Sequence, residues 1–253
     1  MKNEILIGDT IEVMEKMPNE SIDLVITSPP YNLGMEYGYG IDDCMPWKKY
    51  YEWCWLWMEE VYYLLKPNRR FCINHYLSCG DAKRGRTAPL MELNRIAQEI
   101  GFKHHGIAIW NEPTVSKLTA WGSYMRASAP WVNSPYEGIL ILYKGDWKRE
   151  DEGESTISKE DFIEGVSGVW KMQSQRRTNH PAPYPLRLPQ LCIDLFSYKG
   201  DTILDNFSGS ATTNVACALA NRNCIGIEKN PEFAKEGQLR INNAIIQKEM
   251  NGG

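Results

Sequence analysis

The chain predicts an α/β fold, a doubly wound, mostly parallel sheet with helices on both faces. Its first half alternates short apolar runs with longer helix-forming stretches, the pattern of strands joined by crossover helices. The final third returns to that alternation, and there a strand-like run passes into a helix through a glycine-containing loop. With 253 residues the chain can bury one substantial core and carry a small appended region.

Residues 4–7 read as a short strand and 10–16 as a helical turn. Residues 22–26 form a second apolar strand that ends abruptly at Thr27-Ser28-Pro29-Pro30-Tyr31, because proline cannot donate to a sheet ladder. In open α/β sheets, ligands bind at the carboxyl ends of strands, where this corner must lie. An aromatic-rich helix is expected over 47–65, stopping before Pro67, and a strand over 71–74. Residues 89–100 read as a helix closed by Gly101, and 107–110 and 137–143 as strands. Residues 148–164 are acidic and poor in large apolar side chains, the composition of a surface loop. Then come a helix over 189–197, a strand over 202–205, a helix over 212–219, a strand over 224–227 and a helix over 231–250.

Hydrophobic residues make up 43% of the chain and charged residues 24%, as in ordinary soluble globular proteins. No apolar run reaches the roughly 18 residues of a membrane span. The first residues lead straight into a strand-like run without a secretory segment, so a cytoplasmic location is expected. Seven cysteines with no Cys-x-x-Cys pair argue against structural zinc, and neighbours such as Phe71 and Ile73 around Cys72 point to buried free thiols. The formal net charge of −4 means that any contact with nucleic acid must come from a local basic patch.

Two constellations carry chemistry. The first is Asp205-Asn206-Phe207-Ser208-Gly209-Ser210-Ala211-Thr212-Thr213, a turn whose backbone amides at a helix start can approach a ligand closely. About 20 residues further on, a strand ends in Glu228, placed to accept hydrogen bonds from both ribose hydroxyls of an adenosine. A nicotinamide-dependent oxidoreductase uses similar geometry, so this constellation alone leaves that class open. The second is the Ser28-Pro29-Pro30-Tyr31 corner. An exocyclic amine on a base has its lone pair delocalised into the ring and is a poor nucleophile. Acceptors on its N–H bonds, one from Ser28 and one from a backbone carbonyl near Pro29, favour a pyramidal nitrogen and free that lone pair. The prolines stiffen the corner so that these acceptors need not reorganise during reaction. Tyr31 offers a face on which a flipped base can stack. An oxidoreductase leaves this corner unexplained.

Together, in this order, these motifs resemble the β class of permuted DNA amino methyltransferases, whose catalytic motif is Asp/Asn/Ser-Pro-Pro-Tyr/Phe and precedes the cofactor motif. The resemblance implies a Rossmann-like fold, S-adenosyl-L-methionine as cofactor, and double-stranded DNA as substrate. It implies catalytic roles for Ser28, Pro29, Pro30 and Tyr31. It places Asp9 at the cofactor's adenine region, Glu228 at its ribose, and Asn32, Ser208, Gly209 and Ser210 near its methionine end. Asp205, Phe207 and Thr212 belong to the same cofactor motif. His180 and Pro181, within His180-Pro181-Ala182-Pro183-Tyr184-Pro185, resemble the motif that helps to enclose the cofactor. Lys66-Pro67 also fits the family's middle region. Asn206 stands where proline is usual and Ala211 where a second glycine is usual; the added methyl is tolerable if Ala211 keeps a negative φ.

In this family a serine at the first motif position goes mostly with cytosine N4 and an aspartate with adenine N6, which favours cytosine N4 here and keeps adenine N6 as the alternative. Methylation at cytosine C5 needs a thiolate in a Pro-Cys loop, and no cysteine in this chain follows a proline. RNA or protein-glutamine methylation is a less favoured use of the same chemistry, and a DNA-binding protein without catalysis a further one. The family places its recognition region between the catalytic and cofactor halves, giving an expected division into residues 1–110, 111–179 (with one returning core strand) and 180–253. The inserted target-recognition region offers Lys117, Arg126, Lys171, Gln173, Arg176 and Arg177 for contact with bases and phosphates. Some members are homodimers or act beside a cognate restriction endonuclease, but no dimer signature is legible. No metal is expected, since methyl transfer by direct displacement needs none.

Overall fold

The computed structural model of the chain describes residues 2–81, 83–112, 122–132, 134, 136–173 and 184–250. The elements are β1 (Asn3–Ile7), α1 (Thr10–Met14), β2 (Ile22–Thr27), α2 (Trp47–Leu64), β3 (Leu65–Tyr76), β4 (Cys79–Asp81), β5 (Gly85–Thr87), α3 (Pro89–Ile100) and β6 (Lys103–Asn111). They continue with β7 (Glu137–Lys144), α4 (Lys159–Val166), β8 (Val169–Lys171), α5 (Arg187–Phe196), β9 (Thr202–Asp205), α6 (Thr212–Leu219), β10 (Asn223–Glu228) and α7 (Pro231–Met250).

Among the described residues, eight strands form one sheet in the order β1-β10-β9-β2-β3-β7-β6-β8. All pairings are parallel except those of β7, which runs antiparallel between β3 and β6. The expected mostly parallel, doubly wound α/β sheet is therefore the observed fold. One core, built on α2 and α3, contains Trp57, Phe71 and Leu140, and a second contains Leu24, Trp170 and Leu191, so apolar side chains cover both faces of the sheet. Six of the seven cysteines are buried and free, Cys44 being exposed. Among the described residues no helix is long and apolar enough to cross a membrane.

The departures from the sequence expectations have local causes. Strand β3 is longer than 71–74 and runs through Pro67, because its pairing with β2 skips from Leu65 opposite Ile22 to Arg70 opposite Leu24. Pro67 and Asn68 (φ 60°) occupy that irregularity, where no ladder bond is required of them. The acidic stretch is not loop throughout: 159–166 are helical. The Ser158 side chain caps α4 by accepting from the Asp161 backbone N–H at 3.0 Å, and Glu160 and Asp161 complement the helix dipole in its first turn. Arg187 then pairs with Asp161 and Glu164. The hairpin β4–β5 and the edge strand β8 are three residues each, too short for any periodicity to be read from the sequence. Near the amino-terminal ends of the strands, Asp151 and Asp201 pair with Arg149, and Asp151 also with Arg69. This anchors the acidic segment at the sheet edge opposite to the site described next.

Candidate active site

The two motifs meet because β2 and β9 are neighbours in the sheet, with Leu24 opposite Ile203 and Val25 opposite Leu204. Parallel pairing brings both carboxyl ends to the same edge. There, Thr27 donates its hydroxyl to Asp205 Oδ1 at 3.2 Å, bridging the proline corner and the glycine loop. A cavity of about 570 Å³ opens above the joint, within the range of about 300–1,000 Å³ usual for small-molecule sites. Ser28, Pro29, Pro30 and Tyr31 line one side of it, and Asn206, Phe207, Ser208, Gly209, Ser210, Thr212 and Glu228 line the other.

The proline corner is fixed from behind. Tyr50, buried on α2, donates its hydroxyl to the Pro30 carbonyl at 2.8 Å. Its single proton is spent there, so His75 Nε2, 3.0 Å away, must be the donor to Tyr50 Oη. Burial holds the His75 imidazole down to about 3, so it stays neutral. The Tyr31 ring stacks on His75 with centroids 4.3 Å apart, which covers one of its faces. Ser28 Oγ donates to Tyr31 Oη at 2.9 Å, and Tyr31 Oη donates to Glu137 Oε2 at 2.7 Å. Asn74 Nδ2 reaches both Tyr31 Oη and Glu137 Oε2 at 2.7 Å.

The glycine loop is held by Glu228, at the tip of β10 beside β9. Its carboxylate accepts from the Gly209 N–H through Oε2 and from the Asn230 N–H through Oε1, each at 2.8 Å. Burial raises the Glu228 pKa, while these backbone hydrogen bonds oppose the rise. Gly209 has φ 49°, a conformation open to glycine at little cost. Ala211 also has a left-handed φ, 64°, where the sequence reading required a negative one. The left-handed backbone costs alanine about 1–2 kcal/mol relative to the helical region. The methyl group itself is accommodated because it faces Gly237 of α7, where a Cβ would lie 2.9 Å from Ala211 Cβ. Asp9 caps α1 by accepting from the Ile11 N–H, and its other oxygen pairs with Lys229 at 3.3 Å on the cavity wall.

Two residues expected at the cofactor do not line the cavity. Asn32 is fully buried in a left-handed turn, and its amide both donates to the Met45 carbonyl and accepts from the Met45 N–H. It braces the 32–45 loop. Asp205 is buried under the glycine loop, where it accepts from Thr27, Thr213, Tyr184 and the Phe207 N–H. Its role is to hold the loop in shape. Of the expected DNA contacts, Arg126, Lys171 and Gln173 are exposed but lie outside the cavity lining. Lys171 is at the end of edge strand β8, opposite Asn111. Lys117, Arg176, Arg177, His180 and Pro181 lie outside the described residues.

Several cavity residues were not found from the sequence. Asp43 anchors the 32–45 loop by accepting from the N–H groups of Asn32, Leu33 and Met35. Trp110 and Glu137 enter from β6 and β7. Glu137 had a weak signal, being the one charged residue at the start of an otherwise apolar strand. Among the described residues, no group of three or more potential metal ligands converges.

The family model described as DNA methylase matches residues 22–239. The Type II methyltransferase M.MjaVI of Methanocaldococcus jannaschii is 44% identical over 162 residues, covering 64% of this chain and 81% of that protein. The Type II methyltransferase M.HpaI of Haemophilus parainfluenzae is 28% identical, covering all of this chain (100%) and 76% of its own length. Among solved structures, the Thermus thermophilus protein TTHA0409 in complex with S-adenosyl-L-methionine aligns with a TM-score of 0.76 and 24% identity, over 96% of each chain. The cytosine-N4-specific PvuII DNA methyltransferase aligns with a TM-score of 0.74 and 22% identity, over 100% of this chain and 94% of that one. With its sheet order, its joined motif loops and a family match that spans most of its length, this chain belongs to the N6/N4 DNA methylase family.

Proposed function

We propose that this chain is a permuted, β-class, site-specific methyltransferase that transfers a methyl group from S-adenosyl-L-methionine to cytosine N4 of a base flipped out of double-stranded DNA. The observation that carries this reading is the shared cavity, in which the Ser28–Tyr31 corner faces the glycine loop and Glu228. The cavity wall suits a polar nucleoside. Each Glu228 oxygen keeps a lone pair beyond its backbone bond, and Asp9 and Ser210 line the same wall. Glu228 would hold the ribose, Asp9 the adenine region, and Ser208, Gly209 and Ser210 the methionine end. The cofactor supplies an electrophilic methyl group on a sulfonium. Ser28 and the Pro29 carbonyl would orient the target amine, and the part of Tyr31 that lines the cavity would receive the base, which leaves its stack at a cost of a few kcal/mol.

Ser28 in place of an aspartate favours cytosine N4 over adenine N6. Residues 1–110 and 180–253 form the catalytic and cofactor halves in this reading, and 111–179 the target-recognition region, with Arg126, Lys171, Gln173 and residues 117, 176 and 177 contributing to DNA contact. The curated relatives are Type II methyltransferases, which supports a role in restriction–modification beside a cognate nuclease. The test is digestion of DNA incubated with enzyme and methyl-labelled cofactor, followed by mass spectrometry of the nucleosides. Labelled N4-methylcytosine is expected. Labelled N6-methyladenine alone would overturn the choice of base, and no labelled base in DNA would overturn the function.

A further inference from the structure

We propose that Glu137 receives the proton that the target amine gives up, through a relay from Ser28 to Tyr31 to Glu137, as a positioning residue separated from the reacting atoms by Ser28 and Tyr31. The inference rests on the amine-methylation reading above and adds a proton path to it.

The hydrogen bonds of the corner all run in one direction. Ser28 donates to Tyr31 at 2.9 Å and Tyr31 donates to Glu137 at 2.7 Å, so the carboxylate is the terminal acceptor. Asn74 Nδ2 donates to both later members at 2.7 Å, and it would steady negative charge on either oxygen. The topology explains how Glu137 comes to be there. Because β7 runs antiparallel to β3, its first residue lies opposite Tyr76 at the carboxyl end of β3, on the catalytic edge of the sheet. A parallel strand at that place would have put its last residue there. Glu137 also lines the cavity, which gives the proton a way out to solvent.

The chemistry requires such an acceptor. As the bond from nitrogen to the methyl carbon forms, the carbon–sulfur bond breaks and its electron pair stays on sulfur. The nitrogen becomes cationic and must lose one of its two protons. Ser28 Oγ takes that proton while its own passes to Tyr31 Oη, and the tyrosine proton passes to Glu137. Ser28 and Tyr31 end neutral, Glu137 ends as a carboxylic acid, and nothing is oxidised or reduced. Burial is the largest cause that pushes the Glu137 carboxyl up to about 7, with a further push from Glu112 after β6 and opposition from its bonds to Tyr31 and Asn74. The other titratable groups around it are Tyr76 on β3, Tyr37 of the 32–45 loop and Tyr31 itself, the last two with pKa values that burial raises, beside the uncharged His75. A carboxylate so placed is a far better proton acceptor than one on the surface.

The experiment compares wild type, Glu137→Gln and Tyr31→Phe on a DNA substrate across pH 5.5–9. Wild-type kcat should rise with pH along a limb centred about pH 7. Glu137→Gln keeps the shape and the bond from Tyr31; it should lose that limb and about 100-fold in kcat at pH 8, with KM for cofactor and DNA unchanged. Tyr31→Phe should do the same, and the double variant should lose no more than either single one. A readout that needs no turnover is the infrared difference spectrum of the protein against pH, in which a protonated-carboxyl band titrating near neutrality should vanish in Glu137→Gln. Retention of the pH limb in either variant, a loss confined to KM, or an unchanged infrared band would overturn the relay while leaving the methyltransferase reading intact. A wild-type protein that labels no base in DNA would overturn that reading and the relay with it.

Discussion

Thr27 and Asp205, 178 residues apart in the chain, share a buried hydrogen bond of 3.2 Å at the tips of adjacent parallel strands. The bond belongs to two loops at once. Thr27 leads directly into Ser28, and Asp205 leads into the glycine turn through its bond with the Phe207 N–H. The register of β2 against β9 thus sets the separation of the two halves of the cavity.

Thr27→Val preserves strand shape and removes the hydroxyl, while Asp205 keeps Thr213, Tyr184 and the Phe207 N–H. The fold should survive at a cost of about 1 kcal/mol. The two loops should lose their mutual alignment, lowering kcat more than cofactor affinity. Thermal unfolding and steady-state kinetics together check this.

Ser28→Ala removes the side-chain acceptor for the amine and leaves the cofactor wall untouched. Turnover should fall on the order of 100-fold, as when one preorganised polar group is lost from an active site. Calorimetric affinity for S-adenosyl-L-methionine should not change. A matching loss of cofactor binding would show that Ser28 is not a group of the transferring half.

Glu228→Gln can satisfy only one of the Gly209 and Asn230 N–H groups and turns an amide N–H toward the other. Charge-assisted bonds of this kind contribute about 1.5–3 kcal/mol each, so cofactor affinity should fall roughly 10–100-fold. Titration calorimetry measures it directly.

Gly237→Ala should be destabilising, because its new Cβ would stand 2.7 Å from Ile5 Cδ1 and 2.9 Å from Ala211 Cβ. Overpacking of this kind costs about 1–3 kcal/mol. Adding Ala211→Gly removes one of the two clashes and relieves the left-handed alanine, so the double variant should recover part of the loss in melting temperature. Strict additivity would show that the two positions do not touch.

Glu137 binds its proton more tightly in the folded protein, where burial pushes it up to about 7, than in the unfolded chain, where a free glutamate has a pKa of about 4.3. The folded state therefore holds more protons between those values, and stability contributed by this group is lost as pH rises through the window. Glu137→Gln lacks the group. Its stability relative to wild type should increase from pH 4.5 to pH 7.5 in paired denaturant titrations.

Much of the architecture is legible in the sequence. Local signals suffice where one residue dictates a break: Pro29 and Pro30 end β2, Gly101 closes α3, and Gly209 opens the turn into α6. Asn32 and Asp205 belong to recognisable motifs, which implies a place at the cofactor, but a motif does not reveal which way a side chain turns. Both turn into the protein, where Met45 and Tyr184 use their polar atoms. Asp43 and Glu137 carry no motif, and their importance exists only through partners distant in sequence.

The sequence by itself determined the alternation of elements, the two chemical corners and the edge of the sheet on which each must sit, since these follow from nearest-neighbour sterics and from the direction of each strand. Only the tertiary structure decided that those corners touch, that Ala211 adopts a left-handed backbone against Gly237, and that an antiparallel strand delivers Glu137 to Tyr31. Strand order and register depend on packing summed over the whole core, and no short stretch of sequence contains that sum.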